Sequence, residues 1–213
     1  MRSRIRKILM ICSNYDAFAL EEDGRIENQV RSEYRELNLS NPPKFIWANS
    51  SQQAREIVSS ETEVDMIICM FNEQDKGIFP FASELKEEGR GIPFVLLIHY
   101  SKAVRQRVLK SPRPGVDFVF SWHGNADLIL AIVKLLEDAA NADNDVFEVG
   151  VKGILLVEDS IRYYSNYLPE LYKIVLTQSR EFLKESLNED QKKYRKRSRP
   201  KIFLATCLEE ALA

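Results

Sequence analysis

The sequence predicts an α/β protein: a doubly wound, parallel five-stranded sheet, followed by an incomplete second α/β unit. Short apolar runs alternate with amphipathic stretches along residues 1–140, and several of these runs are apolar at every position. Such strands are typical of parallel sheets, because helices cover both of their faces. After a polar stretch at 141–150 the alternation begins again.

Five apolar runs predict the strands of the first sheet. They are Ile8–Cys12, Phe45–Trp47, Met66–Phe71, Phe94–Ile98 and Phe118–Phe120. Apolar residues at helical spacing predict helices between and after them, at 51–60, 79–88, 101–110 and 125–140. Ser50 or Ser51 is the expected N-cap of the first of these. The last carries the clearest apolar stripe, formed by Leu128, Ile129, Ile132, Leu135 and Leu136.

The second segment repeats the plan of the first. Lys152–Val157 predicts a buried strand, 161–187 a long helix that Pro169 breaks or kinks, and Lys201–Ala205 a second strand followed by the start of a helix. The expected organisation is therefore a domain at 1–145, a linker at 146–151 and part of a second domain at 152–213.

Composition narrows the class of protein. Apolar residues make up 45% and charged residues 29% of the chain, which argues against a disordered chain. The formal net charge of −2 argues against nucleic acid as a partner. The three cysteines lie far apart, and no apolar run approaches the length of about 20 residues that a membrane helix needs. We expect a cytoplasmic protein with reduced thiols and no membrane partner.

Taken in sequence order, the predicted strands resemble those of the response-regulator receiver family. That family has the CheY-like, flavodoxin-like fold. The run Ile154–Ser160 resembles the family's first strand with its acidic pair, while 64–70, 92–98 and 115–121 resemble its third, fourth and fifth strands. In both segments the connection after the first strand is long. These connections and the run 14–27 resemble the N-terminal region of certain large bacterial proteins. In those proteins, receiver-like domains precede a phosphoenolpyruvate synthase or pyruvate phosphate dikinase-like module. The resemblance implies a regulatory role in two-component signalling or a phosphorelay.

The family's phosphorylation site has no counterpart in the first segment. The positions that match its acidic pair, nucleophilic aspartate, hydroxyl residue and lysine are occupied by Cys12 and Ser13, Met70, Ile98 and Trp122. A thioether cannot replace the carboxylate nucleophile, and an indole carries no charge. We therefore expect a pseudo-receiver with no catalytic residue and no cofactor, which acts through contacts with other domains of the same polypeptide.

The second segment keeps the acidic pair. The resemblance implies that Glu158 and Asp159 hold Mg²⁺ in an incomplete site, since the strands carrying the other site residues are missing from 151–213. The alternative is that the pair caps the helix that follows. An incomplete sheet leaves apolar surface uncovered, so 151–213 should pack on the first domain, form a homodimer with another copy, or be partly disordered.

Three further alternatives stay open on the sequence. An enzyme or small-molecule-binding domain would use the rim residues Asn14, Asp16, His99 and His123. The basic run Lys192–Arg199 would contact phosphates or an acidic partner, or else form a solvated loop. Four tyrosines of the long helix serve either the core or a dimer interface; they are Tyr163, Tyr164, Tyr167 and Tyr172.

Overall fold

The computed structural model describes residues 3–13, 25–36, 41–60, 63–99, 108, 112–124, 126–184 and 199–212. The chain divides into two compact units. The sheet unit comprises Ile5–Gln29 and Asn41–Asn125, and the helical unit comprises Met1–Arg4, Val30–Ser40 and Ala126–Ala213.

Seven strands and six α-helices lie in the described residues. The strands are β1 (Lys7–Ile11), β2 (Lys44–Ala48), β3 (Met66–Met70), β4 (Phe94–His99), β5 (Phe118–Trp122), β6 (Gly153–Val157) and β7 (Lys201–Ala205). The helices are α1 (Arg25–Glu36), α2 (Ser51–Ser59), α3 (Ile78–Glu87), α4 (Ala126–Ala140), α5 (Ile161–Lys184) and α6 (Leu208–Leu212). The predicted helix at 101–110 lies outside the described residues except for Val108, which is helical and buried.

The first five strands form one parallel sheet in the order β2-β1-β3-β4-β5. This is the flavodoxin-like order, in which the chain changes direction across the sheet between β1 and β3. All five residues of β3 and the first five of β4 are buried, as expected of central strands covered on both faces. The predicted fold class is confirmed.

Local interactions fix the helices beside this sheet. The Ser50 hydroxyl accepts a hydrogen bond from the Gln53 N–H at 3.2 Å, so Ser50 is the N-cap of α2. On α3, the Phe81 ring meets Phe94 of β4 edge-on with 6.2 Å between centroids. Arg55 of α2 lies 5.4 Å from the centre of the Phe81 ring and pairs with Glu84 at 2.7 Å, which ties α2 to α3.

The helical unit contains a second, two-stranded parallel sheet. β6 pairs with β7 in parallel, as β1 pairs with β2, which matches the repeat seen in the sequence. α4 packs against α5 and β7. Twelve of the fifteen α4 residues are buried, including Lys134, Glu137 and Asp138, so its polar face is covered as well as its apolar stripe.

The structure adds two local features to this region. The polar stretch at 141–150 contains a π-helical turn, Asp143–Glu148, and within this stretch Asn141 and Asp145 are buried. Pro169 does not break α5, which is a single helix through it. Leu168 and Tyr172, on either side of the proline, are both buried, and a kink at Pro169 stays a prediction.

The boundary between the compact units falls before Ala126, whereas the sequence suggests a domain boundary near residue 145. Contacts made by α4 with α5 and β7 place α4 in the helical unit. Compactness does not show which segments fold alone, so the division 1–145, 146–151 and 152–213 stays a prediction. No helix in the described part of the chain is both long and apolar enough to span a membrane.

Candidate functional site

The candidate site of the sheet unit is the edge where its strands end. Ligands of open α/β sheets bind at the carboxyl ends of the strands, beside the point where the strand order reverses. The register Ile11↔Cys69 brings the end of β1 level with the end of β3, and His99↔Trp122 does the same for β4 and β5. The residues that end these strands therefore lie at one edge.

Apolar side chains occupy most of the positions singled out in the sequence. Cys12 and Ser13 directly follow β1, Met70 ends β3 and Trp122 ends β5. Ile98 is the residue before the end of β4, which finishes at the exposed His99. The four buried side chains among these positions are Cys12, Met70, Ile98 and Trp122. This part of the edge is packed with apolar groups.

Two buried cysteines, Cys12 and Cys69, lie at this edge. Neither forms a disulfide; Cys12 directly follows β1, and Cys69 lies on the neighbouring strand β3. Burial raises the pKa of the Cys69 thiol, and the negative charge of Asp75 raises it further. Because the thiolate is the nucleophilic form of cysteine, Cys69 is held in its inert form.

Asp75, in the loop after β3, has a structural role. Its carboxylate accepts hydrogen bonds from the Ser51 N–H at 2.7 Å, the Ser51 hydroxyl at 2.6 Å and the Gly77 N–H at 3.0 Å. It thereby fixes the first residue of α2 and the turn that leads into α3. Through these three hydrogen bonds, one carboxylate stabilises the first turns of both α2 and α3 beside the ends of the strands.

The rim histidines are both exposed, but they differ in their surroundings. The His123 ring lies 3.0 Å, Nε2 to Oγ, from the hydroxyl of Ser121, a buried residue of β5. This pair satisfies a buried hydroxyl, which would otherwise be costly. His99 lies at the end of β4, and the other two rim candidates, Asn14 and Asp16, lie outside the described residues.

The acidic pair of the second segment lies directly after β6. The Glu158 carboxylate accepts a hydrogen bond from the Ser160 N–H at 3.0 Å, and the Ser160 carbonyl accepts the N–H groups of Tyr163 and Tyr164. Glu158 thus holds the turn before α5, which begins at Ile161, and Asp159 is exposed, so both the capping and the cation alternatives stay predictions. Two neighbouring carboxylates with water in the remaining positions fit Mg²⁺, which retains several waters in proteins. Within the described ranges no three His, Cys, Asp or Glu residues cluster as a metal site.

A buried ion network in the helical unit was not predicted from the sequence. Its centre is Asp138 of α4, which is fully buried. The Asp138 carboxylate accepts hydrogen bonds from both terminal nitrogens of Arg199, from the Tyr172 hydroxyl at 3.1 Å and from the Ile202 N–H at 3.1 Å. One carboxylate therefore connects α4, α5 and the start of β7.

The network extends to further ions on either side of Asp138. Lys201 pairs with Asp145 of the π-helical turn at 2.6 Å, and Lys134 pairs with Glu137 at 2.7 Å. Burial lowers the pKa of Lys134, whereas Glu137 raises it. We name the Asp138 network by its seven members: Lys134, Glu137, Asp138, Asp145, Tyr172, Arg199 and Lys201. Three basic and three acidic groups balance within it, as buried charges require.

Arg199 is the last residue of the basic run, and it is buried in this network. The rest of that run, 192–198, lies outside the described residues. A run of like charges in a sequence does not reveal which member is buried, because the partner Asp138 lies far away along the chain. No sequence pattern used above could have selected Arg199.

Comparisons with known proteins add little to this geometry. No protein-family model and no curated protein matches the chain. Among solved structures, the signal receiver domain of an HD domain-containing protein from Pseudomonas fluorescens Pf-5 is similar, with 16% identity and a TM-score of 0.40 over 65% of this chain and 99% of that chain. A likeness of this strength carries no functional argument, and the fold assignment rests on the strand order. None of these comparisons supports the resemblance to phosphoenolpyruvate synthase-like proteins.

Proposed function

We propose that the sheet unit is a non-catalytic signalling domain, a pseudo-receiver that cannot be phosphorylated. The observation that carries the proposal is the buried thioether of Met70 at the end of β3, where the receiver family has its nucleophilic aspartate. Phosphoryl transfer to a receiver needs a carboxylate there, a bound cation and a positive group for the developing charge. Met70, Cys12 and Trp122 supply none of these.

The output of such a domain would pass through contacts with other domains of the same polypeptide. A pseudo-receiver has no phosphorylation to shift its conformation, so a change in its partners must do so. The resemblance to a region that precedes a phosphoenolpyruvate synthase-like module suggested one such partner, but the proposal does not depend on that module. The competing proposal, an enzyme or small-molecule-binding domain at the rim, would use Asn14, Asp16, His99 and His123, and the His123 ring already lies 3.0 Å from the Ser121 hydroxyl.

Mg²⁺ belongs to the second segment in this proposal. Glu158 and Asp159 would hold the cation after β6, and the first segment would bind none. Without a nucleophile beside it, the cation would be a structural or ancestral feature of 151–213 and would support no phosphoryl transfer on these residues.

Incubation with acetyl phosphate and Mg²⁺ tests the proposal. We expect intact-mass spectrometry to show no added phosphoryl group on the 213-residue chain, because Met70 lies where the receiver family has its nucleophilic aspartate and Trp122 where it has its lysine. A phosphorylatable receiver domain in the same reaction is the control for an active donor. An acyl phosphate formed in high yield on any residue of the sheet unit would contradict the proposal.

A further inference from the structure

Tyr34 of α1 carries a buried hydroxyl that no protein group satisfies. The side chain is 2% exposed, and its hydroxyl has no hydrogen-bond partner within the described ranges. Tyr34 lies in Val30–Ser40, the stretch that belongs to the helical unit. A buried hydroxyl without a partner destabilises the folded state, so most such groups bond either to protein or to ordered water.

The Tyr34 hydroxyl is a donor at neutral pH. Burial raises the pKa of Tyr34, and the negative charge of Glu137 raises it further, although Arg4 lowers it. A protonated phenol donates its O–H and also accepts a hydrogen bond. The group therefore needs an acceptor that the described residues do not supply.

The Lys134 ammonium group of α4 lies beside this hydroxyl. Its Nζ lies over the Tyr34 ring at 4.7 Å from the ring centre, and 2.7 Å from Oε2 of Glu137. Lys134 is itself buried. An ammonium group has three N–H donors, and the Glu137 carboxylate and the face of the Tyr34 ring engage two of them. The third N–H can bond a further acceptor.

We infer that one water molecule binds between α1 and α4. It accepts hydrogen bonds from the Tyr34 hydroxyl and the Lys134 ammonium group and donates one to the Glu137 carboxylate. Three hydrogen bonds are typical of a buried water. One water spans about 5–6 Å between two atoms that it bonds, and the hydroxyl lies at the rim of the ring that the Lys134 cation covers.

Charge balance selects water over an anion. A chloride ion would also accept hydrogen bonds from both donors, but it would lie beside the Glu137 carboxylate. It would also add a negative charge to the Asp138 network, whose three basic and three acidic groups already balance, and an unbalanced buried charge is costly. A neutral acceptor keeps the balance. The water thereby connects α1 to the network, and this inference does not depend on the proposed function.

An atomic-resolution crystal structure of the full 213-residue chain tests the inference. We expect an ordered water within hydrogen-bond distance of both the Tyr34 hydroxyl and Lys134 Nζ. Density for no solvent there, or a protein acceptor on the hydroxyl, would overturn the inference. An anomalous signal at this position in crystals soaked in bromide would assign the site to an anion and would also overturn it.

Tyr34→Phe gives a second readout in solution. It removes one hydrogen bond of the water, so we expect the equilibrium constant for folding, measured by urea denaturation, to fall about fivefold. A hydroxyl that is truly without a partner predicts the opposite, because its removal would leave the constant unchanged or raise it. Either of those results in a folded variant would contradict the inference. If Tyr34→Phe does not fold, the wild-type crystal structure decides.

Tyr172→Phe is the matched control. Tyr172 is as deeply buried as Tyr34, but its hydroxyl donates to the Asp138 carboxylate at 3.1 Å. Its substitution should also weaken folding, since a protein hydrogen bond is lost. The water beside Tyr34 should remain in crystals of Tyr172→Phe and be lost or displaced in crystals of Tyr34→Phe. A water that keeps its position in Tyr34→Phe would show that the hydroxyl does not hold it.

Discussion

Individual residues at the strand edge of the sheet unit serve packing and capping. Met70 closes the end of β3 as a buried apolar group, and Asp75 accepts three hydrogen bonds that order α2 and the turn before α3. The apolar run and its end were predictable from the sequence, because a buried parallel strand is apolar throughout. The role of Asp75 was not, because its donors include Ser51, which is remote in sequence.

Gly115 is the glycine for which the fold has the strictest requirement. Its φ of 78° lies in the left-handed region, and an added Cβ would collide with the backbone of Ala82 and Ser83 on α3. We expect Gly115→Ala to lower the free energy of unfolding by about 2–4 kcal/mol, from backbone strain and from displacement of α3. Urea denaturation measures this cost.

Gly91→Ala is the matched control for Gly115. Gly91 has no positive φ, and nothing lies within 4 Å of a Cβ at that position. Its substitution should change the free energy of unfolding by less than about 0.5 kcal/mol. If both substitutions changed the free energy of unfolding equally, the close contact between Gly115 and α3 would be contradicted.

Elements of the helical unit are joined by buried charge as well as by apolar contacts. α4 has the apolar stripe that the sequence predicts, and its buried polar residues, Lys134, Glu137 and Asp138, lie in the Asp138 network. Helical periodicity predicts which residues share a face, but it cannot predict that a polar face is covered by ions from distant segments. The same limit applies to α5, where Tyr164 and Tyr172 are buried while Tyr163 and Tyr167 stack on each other and are about half exposed.

The Asp145–Lys201 pair gives this network a dependence on pH. Burial alone would raise the pKa of Asp145, but the hydrogen bonds from Lys201 and Asn144 outweigh burial and lower it. A carboxylate with a lowered pKa contributes stability above its unfolded-state pKa, and this contribution is lost as the pH falls through the folded-state value. The pair therefore favours the folded helical unit at neutral pH and ceases to do so in acid.

Arg199→Met should be among the most destabilising changes in the helical unit. It removes two charge-assisted hydrogen bonds and leaves Asp138 as a fully buried carboxylate without its main counter-ion. We expect a loss of about 3–5 kcal/mol in the free energy of unfolding, measured by urea denaturation.

Two comparisons separate this effect from a general loss of charge. Lys173→Met, on the exposed side of α5, should cost less than about 0.5 kcal/mol. Asp138→Asn together with Arg199→Met should cost less than the sum of the single changes, because the two residues interact directly. Additive losses, or a cost for Arg199→Met near that of Lys173→Met, would contradict the network.

At the scale of the whole molecule, the strand order confirms the predicted class of fold, and the predicted domain division stays a prediction. The alternation of apolar runs gave the five parallel strands, and the repeat at 151–205 gave the second strand pair. The grouping of α4 with the second segment depends on its contacts with α5 and β7, which no local pattern encodes. The sequence likewise did not predict which strands lie at the edge of a sheet, because strand pairing is set by tertiary structure.

The central claim is that the strand edge of the sheet unit cannot hold a phosphoryl group. The most direct measurement is NMR of the ¹⁵N-labelled chain during addition of Mg²⁺ and then of beryllofluoride, which mimics a phosphoryl group on aspartate. Our account predicts that Mg²⁺ moves the amide signals of Glu158 and Asp159, and that beryllofluoride leaves those of Met70, His99 and Trp122 unchanged. Saturable shifts at the ends of β3, β4 and β5 on adding beryllofluoride would contradict it.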